Sequence, residues 1–426
     1  MEPMEAVVAD LRFGFAPLPP AFPGYDPDGD ARALIGPGTS PAPAEPVAGR
    51  EFRGSTGEGQ RYFVRIPNAW NGKLAVCGTP AMRSEHANDA IFGDYLLGAG
   101  YAYACSNKGI PFNARLEEEP ATDPLAYGVP FGLGDSPPGS VSMRFGALEP
   151  RVVPVAAWHA DYAELVRNAV DVVHRAMGRR PAYTYALGLS IGGGQVRYLL
   201  ERHPELVDGG VEWAAVHWSA RHTFLRYLPP FLAAMPAYAA SGYRDREAHD
   251  AIVAAGFPPD RLQAGPVVSL WDAHYAKVPP FYCDLTAFVF AGILDPHAPP
   301  PATLEARAAY VPSAAVESSI AGVTQTGKLE RPLIGVAGDA DVFITPQHNF
   351  DPYLAAVREA GRADRYWQFE VAGGTHVDGY ARLGWNLQPQ LPFVLRAFER
   401  LCDLVERGIR LPGAGTKRHV TSPADI

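Results

Sequence analysis

The most constraining feature of this sequence is a serine that lies between a buried strand and a helix and has glycines on both sides. Residues 182–187 are a short apolar run typical of a strand, and residues 188–192 read Gly-Leu-Ser-Ile-Gly. A helix is then predicted over 195–201. Flanking glycines allow a sharp turn from strand to helix, and such a turn presents the Ser190 hydroxyl as a nucleophile. A glycine-rich turn in which Ser190 caps the helix is the alternative.

Strands and helices alternate along much of the chain. Amphipathic runs predict helices over 161–177, 352–360 and 391–407, and short apolar or alternating runs predict strands over 61–66, 73–77, 100–105, 182–187, 211–216, 332–337 and 366–371. Helices between strands imply right-handed crossovers, so the predicted fold class is α/β, with a mainly parallel central sheet and helices on both faces. Ligand sites in such sheets lie where the strands end.

Two aspartates follow the predicted strand 332–337. The sequence there reads Gly-Asp-Ala-Asp over 338–341. A carboxylate at a strand end can orient an imidazole and stabilise its charged form. Asp341 is favoured over Asp339, because it lies beyond the strand, where its side chain can turn back towards the sheet edge. The other aspartate is then a turn or capping residue.

A histidine in a glycine loop follows the strand predicted over 366–371. Residues 373–376 read Gly-Gly-Thr-His, and the glycines can place His376 over the serine. A lone histidine is more often structural. Here it completes a set of nucleophile, base and carboxylate with Ser190 and Asp341, so a catalytic role is predicted.

These motifs resemble the α/β-hydrolase superfamily over about residues 51–410. The chain order Ser190, Asp341, His376 is the order that this superfamily uses. Its oxyanion loop follows the third strand, which corresponds here to Cys-Gly-Thr at 77–79. The resemblance therefore implies oxyanion N–H groups from Ile191 and Thr79. Ala81 is the alternative loop donor, since proline at position 80 has no N–H.

A narrower resemblance is to the tannase, feruloyl esterase and hydroxybutyrate-oligomer hydrolase branch. It rests on the segment 96–109, which ends in Cys-Ser-Asn-Lys-Gly, and on Leu-Val-Glu-Arg-Gly at 404–408. The tannase pattern has cysteines directly before the serine and after the histidine, joined as a disulfide. This chain departs from that pattern, because Leu189 and Val377 occupy those positions.

The chain is predicted to divide around a mostly helical cap. Residues 219–329 lose the alternation and are rich in aromatic residues, which suggests a bulky or aromatic substrate, although these residues could also form the core of the cap. His217 and Trp218 follow a core strand and are candidate pocket residues. The predicted parts are an N-terminal Pro/Gly-rich arm (1–50), a first core part with an irregular insertion at 110–157 (51–218), the cap (219–329), a second core part (330–412) and a C-terminal tail (413–426).

Charge and cysteine content narrow the partners. The formal charge is −9 with no basic block, which argues against a nucleic-acid partner. The four cysteines are far apart, without a Cys-x-x-Cys pair, so no metal site is expected. No membrane span or leader peptide is recognisable, so a cytoplasmic location is expected, or secretion if a leader has been removed. A homodimer is possible.

The function predicted from these residues is hydrolysis of a carboxylic ester of a bulky or aromatic substrate through an acyl-enzyme. No cofactor or metal is required, and the partner is the small-molecule ester. The same scaffold also supports peptidases, thioesterases, acyltransferases and lyases. A non-catalytic protein that binds a small molecule under the cap is the alternative from another class.

Overall fold

The computed structural model describes residues 3–12, 35–36, 39, 41–57, 60–81, 85–109, 128–130, 142–144, 154–274, 290–295 and 304–426. Most of the irregular insertion predicted at 110–157 lies outside the described residues, as do much of the N-terminal arm and part of the predicted cap. The boundaries of the cap and core parts stay predictions.

Ten of the described strands form one sheet, in the order β1-β2-β3-β5-β4-β8-β9-β10-β11-β12. They are β1 (Met4–Val8), β2 (Gly49–Gly57), β3 (Gln60–Pro67), β4 (Lys73–Gly78), β5 (Ala102–Ser106), β8 (Tyr183–Leu189), β9 (Gly209–Trp213), β10 (Leu333–Gly338), β11 (Tyr366–Val371) and β12 (Lys417–Val420). A separate antiparallel pair consists of β6 (Gly128–Pro130) and β7 (Ser142–Arg144). From β5 to β12 every neighbouring pair is parallel, whereas β1, β2, β3 and β5 pair antiparallel.

Helices cover both faces of this sheet. Side chains of β4 alternate between two cores: Ala75 and Cys77 join the core that includes the last helix, whereas Leu74 and Val76 join the core on the other face. The helices are α1 (Asp94–Gly98), α2 (Val155–Met177), α3 (Ile191–Arg202), α4 (Phe224–Ala240), α5 (Arg246–Ala254), α6 (Leu270–Asp272), α7 (Leu304–Ala308), α8 (Ala315–Ile320), α9 (Pro346–Asn349), α10 (Asp351–Glu359) and α11 (Leu391–Arg407). The predicted fold class is confirmed.

An aromatic cluster joins the described part of the predicted cap to the end of the sheet. It packs α4 and neighbouring segments against Ile191 at the start of α3 and against Phe343 after β10. Its buried aromatic members, here called the aromatic cluster, are Trp158, Trp218, Phe224, Tyr227, Phe231, Tyr238, Phe257, Trp271, Phe290 and Phe343. None of the described helices is both long and apolar enough to cross a membrane.

The structure differs from the sequence-based prediction in the secondary structure of three segments. Residues 413–426 are not a loose tail, because Lys417–Val420 adds a parallel strand beside β11. The predicted arm contributes β1 and the start of β2 to the opposite edge. The helix predicted from residue 161 begins at Val155, where Trp158 is buried. The two edge strands are only five and four residues long, so pairing with a neighbouring strand rather than local pattern decides their structure.

A buried ion pair ties α3 to β9. The Arg197 guanidinium donates to both Glu212 carboxylate oxygens, at 2.5 and 2.8 Å, and neither side chain is exposed. Arg197 also donates to the carbonyl of Asn349 at 2.9 Å, and the Tyr366 hydroxyl donates to Glu212 at 2.8 Å. The helix that follows Ser190 is therefore held to the sheet by charge as well as by apolar packing.

Replacing Arg197 with Met should lower the free energy of unfolding by about 3–5 kcal/mol, because Glu212 would be left as an unpaired buried charge. Arg396→Met is the control, since Arg396 pairs with Glu399 at 2.9 Å on an exposed face of α11 and should lose less than about 1 kcal/mol. Urea unfolding followed by tryptophan fluorescence measures both. Equal losses in the two variants would contradict this account of the pair.

Candidate active site

Ser190 lies at the turn between β8 and α3 in a backbone conformation that few residues adopt. Its φ is 60° and its ψ is −120°, and α3 begins at the next residue. The Ser190 N–H donates to the Trp213 carbonyl at 2.8 Å, and its own carbonyl accepts from Val216 at 3.0 Å. Such a conformation costs of order 1–3 kcal/mol and persists only where the surroundings impose it.

Glycines on both sides make this turn possible. A β-carbon at Gly188 would collide with the backbone of Gly192, and one at Gly192 would collide with the Gly78 carbonyl. One at Gly193 would lie 2.7 Å from the β-carbon of Ala215. The start of α3 therefore packs backbone against backbone on the ends of β4 and β8, which holds the serine at the edge of the sheet.

His376 links the serine to a carboxylate. Its Nε2 lies 3.1 Å from Ser190 Oγ, and its Nδ1 lies 3.0 Å from Asp341 Oδ2. All three side chains are buried. The Phe343 ring contacts the imidazole edge to face, with ring centres 5.2 Å apart. The structure thus brings together the three residues that the sequence analysis selected, although they are far apart in the chain.

Backbone N–H groups orient the Asp341 carboxylate. Oδ1 accepts from the N–H groups of Phe343 and Ile344, both at 2.8 Å, which leaves Oδ2 for the imidazole. An ionised carboxylate only accepts, so the Nδ1–H donates and Nε2 keeps a lone pair towards the Ser190 hydroxyl. This is the tautomer that a general base needs.

Asp339 has a different environment from Asp341. One of its carboxylate oxygens accepts from the Gly373 N–H at 2.8 Å and pairs with Arg261 at 3.1 Å. It therefore braces the loop that carries His376 without contacting the imidazole. Gly373 has a φ of 76°, and a β-carbon at Gly338 would collide with the backbone of Gly374.

The predicted oxyanion donors lie on two neighbouring segments. Ile191 opens α3, where the first N–H groups have no partner within the helix. The loop of Thr79 follows β4, and its nitrogen would be 3.1 Å from a β-carbon placed on Gly192. Among the described residues, neither the Thr79 N–H nor the Ile191 N–H has a hydrogen-bond acceptor. Their role in catalysis stays a prediction.

His217 and Trp218 lie beside the start of α3. His217 has a polar partner, whereas Trp218 packs among apolar side chains. His217 Nδ1 is 3.0 Å from Gln325 Oε1, and burial, with the charge of Arg197, lowers its pKa to about 3. Trp218 is a fully buried member of the aromatic cluster, and its ring centre is 6.0 Å from that of Phe290. Contact of either residue with a substrate stays a prediction.

The sequence analysis missed Lys108 and Asn88, which support residues 79–81, here called the Thr79 loop. The Asn88 amide donates to the Gly78 carbonyl at 3.0 Å, and the Lys108 ammonium donates to the Thr79 carbonyl at 2.7 Å. The available signals for Lys108 were its place in the segment 96–109, which carries the narrower resemblance, and its position just after the strand Ala102–Ser106, at the edge where parallel strands end. Nothing in the local sequence indicates the direction of its side chain.

The departure from the tannase pattern is also visible in the structure. Leu189 and Val377 flank the serine and the histidine, and Leu189 is part of the core. The described cysteines, Cys77, Cys105 and Cys402, are free thiols. Within the described ranges, no group of three or more His, Cys, Asp or Glu side chains could hold a metal ion.

Comparison with known proteins shows similarity to solved structures. No family model matches the chain, and no curated protein matches it. Among solved structures, the chain is similar to feruloyl esterase B from Aspergillus oryzae, at 14% identity and a TM-score of 0.51, with 88% of this chain and 85% of that chain covered. The tannin acyl hydrolase from Aspergillus niger gives 12% identity, 96% and 83% coverage and a TM-score of 0.49.

The likeness to feruloyl esterase B, together with the parallel sheet, shows that this chain has the α/β-hydrolase fold. The predicted distant resemblance is confirmed at the level of fold. Proteins of one fold catalyse many different reactions, so the arrangement of the side chains is what indicates the function.

A buried carboxyl group, Asp378, connects the histidine loop to α11. It follows His376 by two residues and accepts from the backbone N–H groups of Gln390 at 2.6 Å and Leu391 at 2.8 Å. Burial raises its pKa to about 7, although the two backbone N–H groups act in the opposite direction. Near neutral pH, part of the folded protein therefore carries this carboxyl group in its protonated form.

This carboxyl group predicts a pH-dependent stability. Between its unfolded pKa near 4 and about 7, the folded state holds a proton that the unfolded chain has released, so the free energy of unfolding falls as the pH rises through this window. The variant Asp378→Asn lacks this titration. Its stability relative to the unaltered protein should improve by about 3 kcal/mol between pH 5 and pH 8, measured by urea unfolding. A difference that does not change with pH would refute the assignment.

Proposed function

We propose that this chain is a serine hydrolase that cleaves carboxylic esters through an acyl-enzyme. The observation that carries the proposal is the continuous chain from Ser190 Oγ through both nitrogens of His376 to the Asp341 carboxylate, with separations of 3.1 and 3.0 Å. Serine alone is a weak nucleophile, and an adjacent base held in one tautomer is what activates it.

In the proposed reaction the Ser190 oxygen attacks the ester carbonyl while His376 Nε2 takes the hydroxyl proton. The tetrahedral intermediate carries its negative charge on the former carbonyl oxygen, where the N–H groups of Ile191 and Thr79 stabilise it. It collapses as His376 gives the proton to the leaving alcohol, which forms the acyl-enzyme. Water then attacks with His376 as base, the acid leaves, and Ser190 regains its proton. Asp341 stabilises the imidazolium in both halves.

The proposed substrate carries a bulky or aromatic group. The support is the aromatic cluster, which packs against Ile191 directly after Ser190 and whose Phe343 contacts the imidazole. Aromatic side chains offer large flat apolar surfaces, and a site that they line binds ring systems better than short acyl chains. The solved structure of feruloyl esterase B, to which the fold is similar, is by its name that of an esterase, which agrees with the proposed hydrolysis of an ester.

The variant Ser190→Ala should lose up to about 10⁶-fold in kcat towards any ester that the protein hydrolyses, because the acyl-enzyme cannot form. A fluorophosphonate should label the unaltered protein at Ser190, detected by mass spectrometry of the labelled peptide, and should not label the variant. Circular dichroism checks that the variant folds. Full turnover in Ser190→Ala would remove the basis of the proposal.

The two neighbouring aspartates provide a matched pair. Asp341→Asn should lower kcat by about 10³–10⁴-fold, since an amide no longer fixes the required imidazole tautomer. Asp339→Asn should change kcat by less than about tenfold, because its contacts are with Gly373 and Arg261. Steady-state hydrolysis of one p-nitrophenyl ester compares the variants. The reverse ranking would show that Asp339 is the partner of the histidine.

The type of bond is tested with three substrates that share one acyl group. We expect the p-nitrophenyl ester of a phenylpropanoic acid to react fastest, ahead of its thioester and its p-nitroanilide, and ahead of p-nitrophenyl acetate when kcat/KM values are compared. Faster anilide cleavage would identify a peptidase, and faster thioester cleavage a thioesterase. Labelling of Ser190 without turnover of any substrate would indicate a transferase or lyase, and absence of labelling a binding protein.

A further inference from the structure

Lys108 lies in an unusual position for a lysine. It follows β5 in a left-handed backbone conformation, with a φ of 58°, and its side chain is 1% exposed. The neighbouring Asn107 side chain holds this turn. Its amide oxygen accepts from the backbone N–H groups of Arg61 at 3.0 Å and Gly109 at 3.1 Å. Lysine is rarely buried without a reason, because removing an ammonium from water is costly.

The ammonium of Lys108 is directed at one loop. It donates to the carbonyls of Thr79 at 2.7 Å, Pro80 at 3.4 Å and Ala81. An ammonium has three N–H donors, so three successive carbonyls can satisfy it. The Trp158 ring lies beside it, with the ring centre 5.8 Å from Nζ. All three carbonyls belong to the Thr79 loop, residues 79–81.

These contacts restrain the two N–H groups of the Thr79 loop separately: Lys108 acts on that of Ala81 through the Pro80 carbonyl, and Asn88 acts on that of Thr79 through the Gly78 carbonyl. In a trans peptide unit the C=O and the following N–H point in opposite directions. Because Lys108 holds the Pro80 carbonyl, the Ala81 N–H faces away from Lys108. Because Asn88 holds the Gly78 carbonyl, the Thr79 N–H faces away from Asn88, and its nitrogen lies against Gly192 in the first turn after Ser190.

Two further buried titratable side chains, Asp161 and His159, lie near Lys108. The Asp161 carboxylate accepts from Ser106 Oγ at 2.7 Å, and Ser106 Oγ in turn lies 3.3 Å from the Lys108 backbone nitrogen. Burial raises the pKa of Asp161 to about 6, whereas Ser106 and the positive charge of Lys108 lower it. A second buried residue, His159, has a pKa of about 4, lowered by burial and further by Lys108.

We propose that Lys108 is a positioning residue for the oxyanion site: its ammonium holds the carbonyls of the Thr79 loop so that the N–H groups of this loop are arranged before a substrate binds. This inference rests on the proposed function of Ser190. Donors that are fixed in advance stabilise the charge of the tetrahedral intermediate without reorganising during the reaction. Lys108 therefore acts through the loop and does not touch the substrate.

The test compares Lys108→Met with a lysine control. Lys73→Met is the control, because Lys73 pairs with Glu406 at 2.6 Å at the start of β4, the other end of the strand from Thr79. We expect Lys108→Met to lower kcat by about 10²–10³-fold, with KM changed by less than about threefold, and the control to leave both unchanged. A loss of apolar substrate binding would raise KM instead.

A transition-state analogue separates loop positioning from general damage. A trifluoromethyl ketone with a phenyl group adds the Ser190 oxygen and forms an oxyanion, so its Ki should rise in Lys108→Met by the same factor as kcat/KM falls. The ester itself, bound to Ser190→Ala with and without Lys108→Met, should show an unchanged Kd. Unequal factors, or a kcat within about threefold of the unaltered protein, would overturn the proposal.

The variant Lys108→Gln and the activity of the unaltered protein distinguish the remaining outcomes. Lys108→Gln retains two N–H donors and should recover part of the activity that Lys108→Met loses, which also provides a reading if the Met variant does not fold. If neither variant folds, Lys108 supports the fold and the proposal is overturned. If the unaltered protein is neither labelled by a fluorophosphonate nor active on esters, the proposed function itself fails, which is distinct from an active protein that tolerates Lys108→Met.

Discussion

Backbone-to-backbone packing at the start of α3 is the constraint on which the site depends. Side chains are absent at Gly188 and Gly192 because the helix start lies on the ends of β4 and β8, and the intervening Ser190 takes a positive φ as a result. That one contact sets the place of Ser190, the proposed nucleophile, brings the loop of Thr79 beside it and directs the first N–H groups of the helix to the same edge. The buried pair between Arg197 and Glu212 then holds the rest of the helix to the sheet.

The two aspartates after β10 contact different parts of the histidine loop. Asp341 meets the imidazole, and its second oxygen is occupied by two backbone N–H groups, so the carboxylate has one orientation. Asp339, two residues earlier, restrains the Gly373 backbone. These two aspartates, two residues apart after the same strand, thus have different contacts although the residue type is the same. Asp341 contacts His376, and Asp339 contacts the Gly373 backbone.

Much of this arrangement could be predicted from the sequence where local pattern and tertiary structure agree. The strand Tyr366–Val371 and the helix Leu391–Arg407 have their predicted limits, because their apolar residues follow the period of the element. The start of α3 was predicted four residues late, since glycines 192–194 disfavour a helix and are needed only for close packing. The strand Lys417–Val420 and the role of Lys108 depend on partners distant in sequence, which no local pattern reveals.

The last strand also has a consequence for the histidine. Gln368 to Val371 pair with Lys417 to Val420, and the Ala372 N–H donates to the Val420 carbonyl at 3.0 Å, directly before the loop that ends at His376. The backbone before His376, the proposed base, is thus paired with a segment more than forty residues further along the chain. Support for the proposed base therefore depends on a contact between two segments distant in sequence, which can form only after residues 417–420 have left the ribosome.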